Sequence, residues 1–568
     1  MKNPLAISAE RRASAVLVRS DERRRALDIA PARLTVAAAI FFVIFGLVLR
    51  VIEYARDVPL TLDESFLAVN VLTRTPLQLL DRLDFNQHAP LGFLEVEKLS
   101  TILGGSEEYA LRVVPFVSAL IALILFSRLA ARLLDGGAFI LAVGFFATSP
   151  WLILYAATAK PYATDVAIAV LLYLLSERAL RSAQGGDQLL ALGAVGAIGL
   201  WLSYASAFVL PGIIIALSIS QRYRRRMRPL LVLVLVWLGI AIAAYFVEVR
   251  RLGSVAQSIG GEKGGLGSSA AGAAASGRIG GVAHFLREAS RNLRDLLGIG
   301  HLQLGNVDLG DLLFVAVIIL IAVGLVAMIR RNLNAAVLLA APCLVGLGGA
   351  SLGVYPAFAR AFLFAAPTLA IFAAVGLSTA MKLVSARHIS VVAVAAIAAA
   401  TTAGPLSGAS TSDSFREWQD LRPVLRELST AQRPGDSLYV FFEAQYALRY
   451  YLTCGCFGPY AAVARGRRLW QTGAGAGGPD QWDPALRSNP PQVYIGTRGG
   501  SGIRDEFAQI DRLRPRKRLW ILVSDLSDHD QVVMVAHLRT LGAEKQVLPG
   551  SGRSGTARAY LFDLSGRQ

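Results

Sequence analysis

Four separated segments of this chain place reactive polar residues beside long apolar runs. The first is Thr61-Leu62-Asp63-Glu64-Ser65, with two adjacent carboxylates. The second is Asn86-Gln87-His88-Ala89-Pro90, the third Lys160-Pro161-Tyr162 with Asp165, and the fourth Tyr355-Pro356 with Arg360. A carboxylate can take up a proton from a hydroxyl, and ammonium and guanidinium groups can hold an anion such as phosphate. Each residue also has an ordinary alternative. Asp63 and Glu64 could be solvated loop charges and His88 a satisfied turn histidine. Lys160 and Arg360 could extend to the lipid headgroups, and Asp165 could simply pair with Lys160. The joint placement carries more weight than any single residue, because ionisable groups at membrane depth are costly and usually functional.

The elements that must position these residues are membrane spans. The chain has 568 residues, of which 54% are hydrophobic and only 17% charged, with a mean hydropathy of +0.50. A soluble chain of this length would carry more charge. The excess Ala, Leu, Val and Ile arrives in runs near the roughly 20 residues that a bilayer crossing requires. This composition excludes a cytosolic enzyme, a disordered chain and a disulfide scaffold. About eleven spans are expected, near 34–52, 113–131, 137–154, 162–180, 188–203, 205–221, 229–247, 312–329, 335–353, 361–381 and 389–404. The fold class expected is therefore an α-helical polytopic membrane protein with a C-terminal extracytoplasmic α/β domain.

The net charge of +17 follows the same logic. With residues 1–33 as a cytoplasmic basic segment, every second connection is basic. These connections carry Arg128 and Arg132, Arg178 and Arg181, Arg222 to Arg226 with Arg228, Arg330 and Arg331, and Lys382 with Arg387. That is the pattern of cytoplasmic loops, and it makes a nucleic-acid partner a poor explanation of the charge. The N-terminus lacks a cleavable signal peptide pattern. An odd number of spans puts the tail outside, in a multi-pass protein of the inner (plasma) membrane.

The expected organisation is a membrane domain over residues 34–404 and an extracytoplasmic domain over 405–568. Within the membrane domain, the outer loop 53–112 carries the first two reactive segments, and the outer loop 248–311 contains a mobile Gly-rich stretch from Gly253 to Gly281. Residues 90–104 are too short and too charged to span and read as a juxtamembrane helix. The tail alternates strand-like runs (Ser437–Phe442, Gln492–Ile495, Leu519–Val523, Ala559–Phe562) with helical ones (Ser414–Leu428, Gln531–Leu541). It has neither a Gly-rich nucleotide loop nor a nucleophile elbow. Cys343 reads as a packed core residue, and the one-residue spacing of Cys454 and Cys456 argues against a disulfide between them.

On these segments the chain resembles the integral-membrane glycosyltransferases of the C-type fold. The resemblance is to the family-39-like group of protein O-mannosyltransferases, lipid A aminoarabinose transferase and rhizobial galacturonosyltransferases. It rests on Asp63-Glu64, the stretch from His88-Ala89-Pro90 to Gly104, and Ser106 to Arg112 before the second span. It continues through Lys160-Pro161-Tyr162-Ala163, Tyr355-Pro356 with Arg360, and the tail run Gly435 to Tyr451. Two departures stand out. His88-Ala89-Pro90 replaces a frequent His-Pro-Pro. The Lys160 segment has Lys for Arg and lacks an acid, so a two-carboxylate or metal-binding role does not carry over to it.

The resemblance implies a glycosyltransferase that moves a hexosyl or pentosyl group from a polyprenyl-phosphate-linked donor. The acceptor would be a hydroxyl of a cell-envelope glycan such as lipopolysaccharide, a lipid or a protein, at the outer (periplasmic) face of the membrane. Asp63 would be the base, with Glu64 tuning it, and a single displacement implies inversion. Lys160 and Arg360 would bind the donor phosphate. His88, Tyr162, Asp165 and Tyr355 would contact substrate. The superfamily contains both metal-dependent and metal-free members, so a divalent metal stays open. Two rivals remain at this stage: a lipid-linked-sugar flippase or transporter, and a non-catalytic envelope assembly protein. Convergence of Asp63, Lys160 and Arg360 on one site would favour the enzyme.

Overall fold

The computed structural model describes residues 34–105, 107–181, 186–224, 227–252, 289–291, 293–294, 296–297, 303–304, 307–352, 355, 359–383, 420–433, 435–454, 492–497, 502–513, 517–550 and 557–565. The expected last span, the N-terminal segment and the stretch from Gly253 to Gly281 lie outside these residues.

Ten of the eleven expected spans coincide with helices. Among the described residues, six helices are long and apolar enough to cross a membrane: Leu34–Ala55, Glu108–Leu133, Met227–Glu248, Gly310–Arg331, Leu333–Ser351 and Ala359–Lys382. A seventh crossing is broken, Gly136–Thr148 and Pro150–Ala157 meeting at 49°. The break falls at Ser149-Pro150, where the proline cannot continue the preceding helix. Asp187–Leu202 and Ser206–Ile219 are apolar but shorter, and Tyr162–Arg181 is long but carries Asp165, Glu177, Arg178 and Arg181. Among the described residues, length and apolarity alone thus give six or seven crossings, with further helices packed among them. The protein is a multi-pass membrane protein.

The basic ends gather as the loop alternation requires. Arg132 donates to Glu177 at 3.0 Å, Arg181 also pairs with Glu177, and Arg331 pairs with Asp135. Leu231, Val232, Leu235 and Leu238 of the helix Met227–Leu252 remain exposed, as a lipid-facing surface should. One crossing is unusually close. A Cβ on Gly324 would lie 1.8 Å from the Phe372 carbonyl oxygen, and one on Gly376 1.9 Å from that of Leu320. Only glycine permits this backbone approach, the small-residue packing that membrane helices use in place of a hydrophobic driving force.

Between the first span and Glu108–Leu133, the outer loop folds into two helices, α1 (Leu62–Thr73) and α2 (Leu91–Gly104). The second is the juxtamembrane helix expected at 90–104. Lys98 of α2 donates to the Val71 carbonyl at 2.8 Å and the Leu72 carbonyl at 3.3 Å, so a cation caps the C-terminal end of α1.

The tail is an α/β unit with a five-stranded mixed sheet. Its strands are β1 (Ser437–Val440), β2 (Gln492–Ile495), β3 (Arg518–Val523), β4 (Ala543–Pro549) and β5 (Arg558–Asp563), in the order β2-β1-β3-β5-β4. Strands β2, β1 and β3 are parallel, with Val440 opposite Ile495 and Leu522; β5 and β4 continue antiparallel. The four expected strands are present. β4 was not anticipated, because its polar run Glu544-Lys545-Gln546 faces water on the sheet edge. The helix expected from Ser414 is described from Arg422 to Ala431, and Ala444–Cys454 and Ile503–Asp511 are further helices. Cys454 is disulfide-bonded, and Cys456, on which the spacing expectation also bears, lies outside the described residues.

Residues of the outer loop and of the α/β unit share one apolar core: Leu67, Val71, Phe93 and Leu94 from the loop meet Leu425, Leu438, Leu448 and Trp520 from the unit. Arg422 reinforces the join, bonding Asp57 at 3.1 Å and Asp420 at 3.0 Å.

At the start of β1, Asp436 accepts from Arg518 at 2.7 Å and from the Trp520 indole at 3.0 Å. Burial pushes this carboxyl up, but the bonds from Arg518, the Arg433 N–H and Trp520 outweigh it and hold it below its ordinary 3.8. A lowered folded value stabilises above the unfolded one, and the contribution is lost as pH falls through the folded value. Asp436→Ala should cost about 3 kcal/mol by stranding buried donors. Thermal unfolding of the α/β unit, followed by near-ultraviolet circular dichroism, should show this loss at pH 7 and a smaller one near pH 2.

Candidate functional site

The site begins with the N-terminus of α1. Thr61 is its N-cap, and Thr61 and Glu64 bond reciprocally: the Thr61 hydroxyl accepts from the Glu64 N–H at 3.3 Å, while Glu64 Oε2 accepts from the Thr61 N–H at 3.0 Å. This is a capping box, and it turns the adjacent carboxylates to opposite sides. Glu64 points inward and is fully buried. Its Oε1 accepts from Arg112 Nε and Nη2, both at 3.1 Å, and from the Ala159 N–H at 2.9 Å. Arg112 also donates to the carbonyls of Val58 and Pro59. Glu64 therefore joins the loop, the helix Glu108–Leu133 and the Lys160 segment.

Asp63 points outward and is partly open to solvent. Its Oδ1 accepts from Lys160 Nζ at 3.0 Å, and its Oδ2 lies 3.3 Å from Arg360 Nη1. Lys160 is buried and also donates to Gln87 Oε1 at 2.9 Å. Burial pushes the Lys160 ammonium down, and the Asp63 carboxylate opposes that shift. Arg360, at the start of the turn Ala359–Ala365, is half-exposed and reaches the Tyr155 hydroxyl. Three of the residues singled out from sequence thus form one cluster, a carboxylate between two cations.

The others are placed around or behind it. Tyr162 packs edge-on against Tyr155, ring centroids 5.0 Å apart. Asp165, one turn into its helix, is buried. The Tyr355 hydroxyl donates to the Ala361 carbonyl at 2.8 Å, and its ring lies 4.4 Å from that of Phe208, so this tyrosine fixes the turn that carries Arg360. His88 is exposed on the loop just beyond Gln87. Nearby on α2, Glu97 is buried; burial raises its carboxyl well above the usual range, with the Ser100 hydroxyl only partly opposing.

Sequence reasoning missed Gln87, which holds Lys160, and the division of labour between Asp63 and Glu64. The signal for the second was present: Thr at 61 and Glu three residues later is a capping-box spacing. Among the described residues, no group of three His, Cys, Asp or Glu side chains is placed to hold a metal ion. A lone carboxylate already paired with two cations is a poor donor set for one, and no step below is routed through a metal.

The chain is similar to known proteins over part of its sequence and in its fold. Residues 87–247 match the family model of dolichyl-phosphate-mannose-protein mannosyltransferases. The crystal structure of ArnT from Cupriavidus metallidurans in the apo state superposes with a TM-score of 0.52 at 13% identity, covering 93% of this chain and 99% of that one. The same protein bound to undecaprenyl phosphate gives 0.51 at 14% identity, with the same coverage. The oligosaccharyltransferase AglB from Archaeoglobus fulgidus in the apo form aligns over 73% of this chain and 64% of that one, at 12% identity and a TM-score of 0.44. No curated protein matches the sequence. The chain has the C-type glycosyltransferase fold.

Breaking the buried pair should be costly, since removing one partner strands the other charge. Arg112→Met should destabilise by about 3–5 kcal/mol. Glu64→Gln, which keeps the size and one acceptor oxygen, should cost less. Thermal unfolding in detergent would show the two losses and their order.

Proposed function

We propose that this protein transfers a sugar from a polyprenyl-phosphate-linked donor to a hydroxyl of a cell-envelope acceptor at the outer face of the membrane. The observation that carries the reading is the Asp63 carboxylate held between Lys160 and Arg360. That cluster supplies the two groups such a transfer needs, a proton acceptor and preorganised cations for the phosphate leaving group. The fold shared with ArnT, which has been crystallised bound to undecaprenyl phosphate, supports a polyprenyl phosphate as the carrier.

The pairing suggests an order of events. Asp63 pairs with both cations. An arriving donor phosphate competes for them, and Arg360 with its planar fork is suited to hold it. Asp63 is then released toward the acceptor. The acceptor oxygen attacks the anomeric carbon, and its proton passes to Asp63. The sugar–oxygen bond breaks, and its electron pair leaves with the lipid phosphate, whose growing charge Lys160 and Arg360 stabilise. Attack opposite the leaving group inverts the anomeric carbon. Glu64 acts through position, the five hydrogen bonds that its carboxylate accepts fixing the α1 terminus that presents Asp63. His88, exposed next to Gln87, and Tyr162 would contact the substrates. A transporter would need polar groups at mid-membrane; this cluster lies at helix ends and loops.

Asp63→Asn should lower transfer by about a hundred- to ten-thousandfold while thermal stabilisation by undecaprenyl phosphate persists. Lys160→Ala with Arg360→Ala should abolish that stabilisation. Wild-type transfer by Asp63→Asn would end the assignment of the base. The outward orientation has its own test: reporter fusions after residues 226 and 331 should read cytoplasmic, and one after 420 extracytoplasmic. A cytoplasmic signal at 420 would move the site to the other face.

A further inference from the structure

A guanidinium that the transfer step above does not use is buried in the membrane domain. Arg50 lies on the helix Leu34–Ala55, about 8 Å from its C-terminal end. A basic side chain so near a span end ordinarily extends to the headgroups, yet Arg50 is only 1% exposed. Among the described residues no carboxylate pairs with it. Its Nη1 donates to the carbonyls of Gly46 and Ala147, both at 2.9 Å, and its Nη2 to that of Phe146 at 3.3 Å. Two of these acceptors have a local cause. The helix Gly136–Thr148 stops at the break, and Pro150 has no N–H to offer the Phe146 carbonyl. Arg50 thus caps that helix end. Capping accounts for Nη1 and Nη2, but Nε has no partner. It also leaves charge over, since a helix end carries only about half a negative charge.

Arg50 lines a cavity of about 10 Å³. Its other walls are apolar side chains, among them Ala122, Leu152, Ala163, Val166 and Leu363. Such a space takes one water or one small ion. A water requires several polar partners, and Arg50 is the one polar side chain in this lining. A phosphate, with four oxygens around phosphorus, exceeds the space. A monovalent anion needs only to accept, and it neutralises the charge that the helix end leaves over. Ala163 and Val166 belong to the start of the helix Tyr162–Arg181, whose dipole also favours negative charge. The carboxylate of that first turn, Asp165, is directed at Ser203 and the Ala205 N–H.

We propose that Arg50 Nε and this cavity form a binding site for one chloride ion. Ala163 follows Lys160 by three residues, and Leu363 follows Arg360 by three. The ion therefore braces, from within the membrane domain, the two segments that present those cations, together with the first span and the broken crossing. Its binding does not depend on what Lys160 and Arg360 hold.

The test uses the full-length protein in detergent, with sodium chloride or bromide replacing sodium gluconate at constant ionic strength. The Tm of the wild type should rise with halide concentration and reach a plateau, as binding to the folded state requires. Arg50→Met removes the donor and should abolish the rise. Ala122→Val fills the cavity while leaving Arg50 in place, and it should abolish the rise as well, so the test survives if Arg50→Met fails to fold. Both variants should keep any stabilisation by undecaprenyl phosphate that the wild type shows. Crystals grown in bromide should give an anomalous scattering peak at Arg50 Nε. The proposal is overturned by a wild type indifferent to halide, by an equal rise in Ala122→Val, which would mark a general salt effect, or by bromide-grown crystals without that peak. Loss of the lipid-phosphate response in Ala122→Val alone would overturn it too, making the cavity part of the donor site. If undecaprenyl phosphate leaves the wild type unchanged while halide stabilises it, the donor reading fails and the chloride site stands.

Discussion

The buried pair of Glu64 and Arg112 is the constraint on which the arrangement around Asp63 depends. One carboxylate closes the N-terminus of α1, neutralises a guanidinium on the helix Glu108–Leu133 and anchors the backbone at Ala159. Three pieces of chain distant in sequence thus meet at one residue. Burying two charges is favourable only when the remaining hydrogen bonds are made, and here they are: Arg112 uses the carbonyls of Val58 and Pro59, and Glu64 uses Thr61 and Ala159. With Glu64 turned inward, the next residue back along α1 has to face out. The position of Asp63 between Lys160 and Arg360 follows from the capping of a helix.

Much of this architecture was legible in the residues. The long apolar runs gave the helices, since a bilayer leaves few alternatives to a satisfied helical backbone. The gathering of Asp63, Lys160 and Arg360 could be anticipated from their placement at the same ends of different runs. What was hidden lay in contacts that no local pattern encodes. Gln87 looks like any loop amide until Lys160 is seen against it. The bond from the Tyr355 hydroxyl to the Ala361 carbonyl is likewise invisible in the local sequence. The edge strand from Ala543 to Pro549 escaped notice because its exposed residues read as loop. The broken helix at Pro150 and the polar helix from Tyr162 to Arg181 made the count of crossings the least legible quantity.

The α/β unit is joined to the site rather than tethered beside it. Its apolar core is continuous with that of the outer loop, and Arg422 reaches back to Asp57. Tyr446 lies against Phe66, one turn from Asp63. Truncating the unit would therefore open the core under α1 and α2, so loss of activity in such a truncation would report on folding as much as on catalysis.

The glycine crossing of Gly324 and Gly376 has a consequence for the lipid phase. A polyprenyl chain that enters the protein sideways must separate a pair of helices, and most helix pairs can yield by rotating side chains. Where backbone meets backbone there is nothing to rotate. That seam is shut to any lipid chain for as long as the helices are folded, and lateral entry of one would have to use the gaps between other helices.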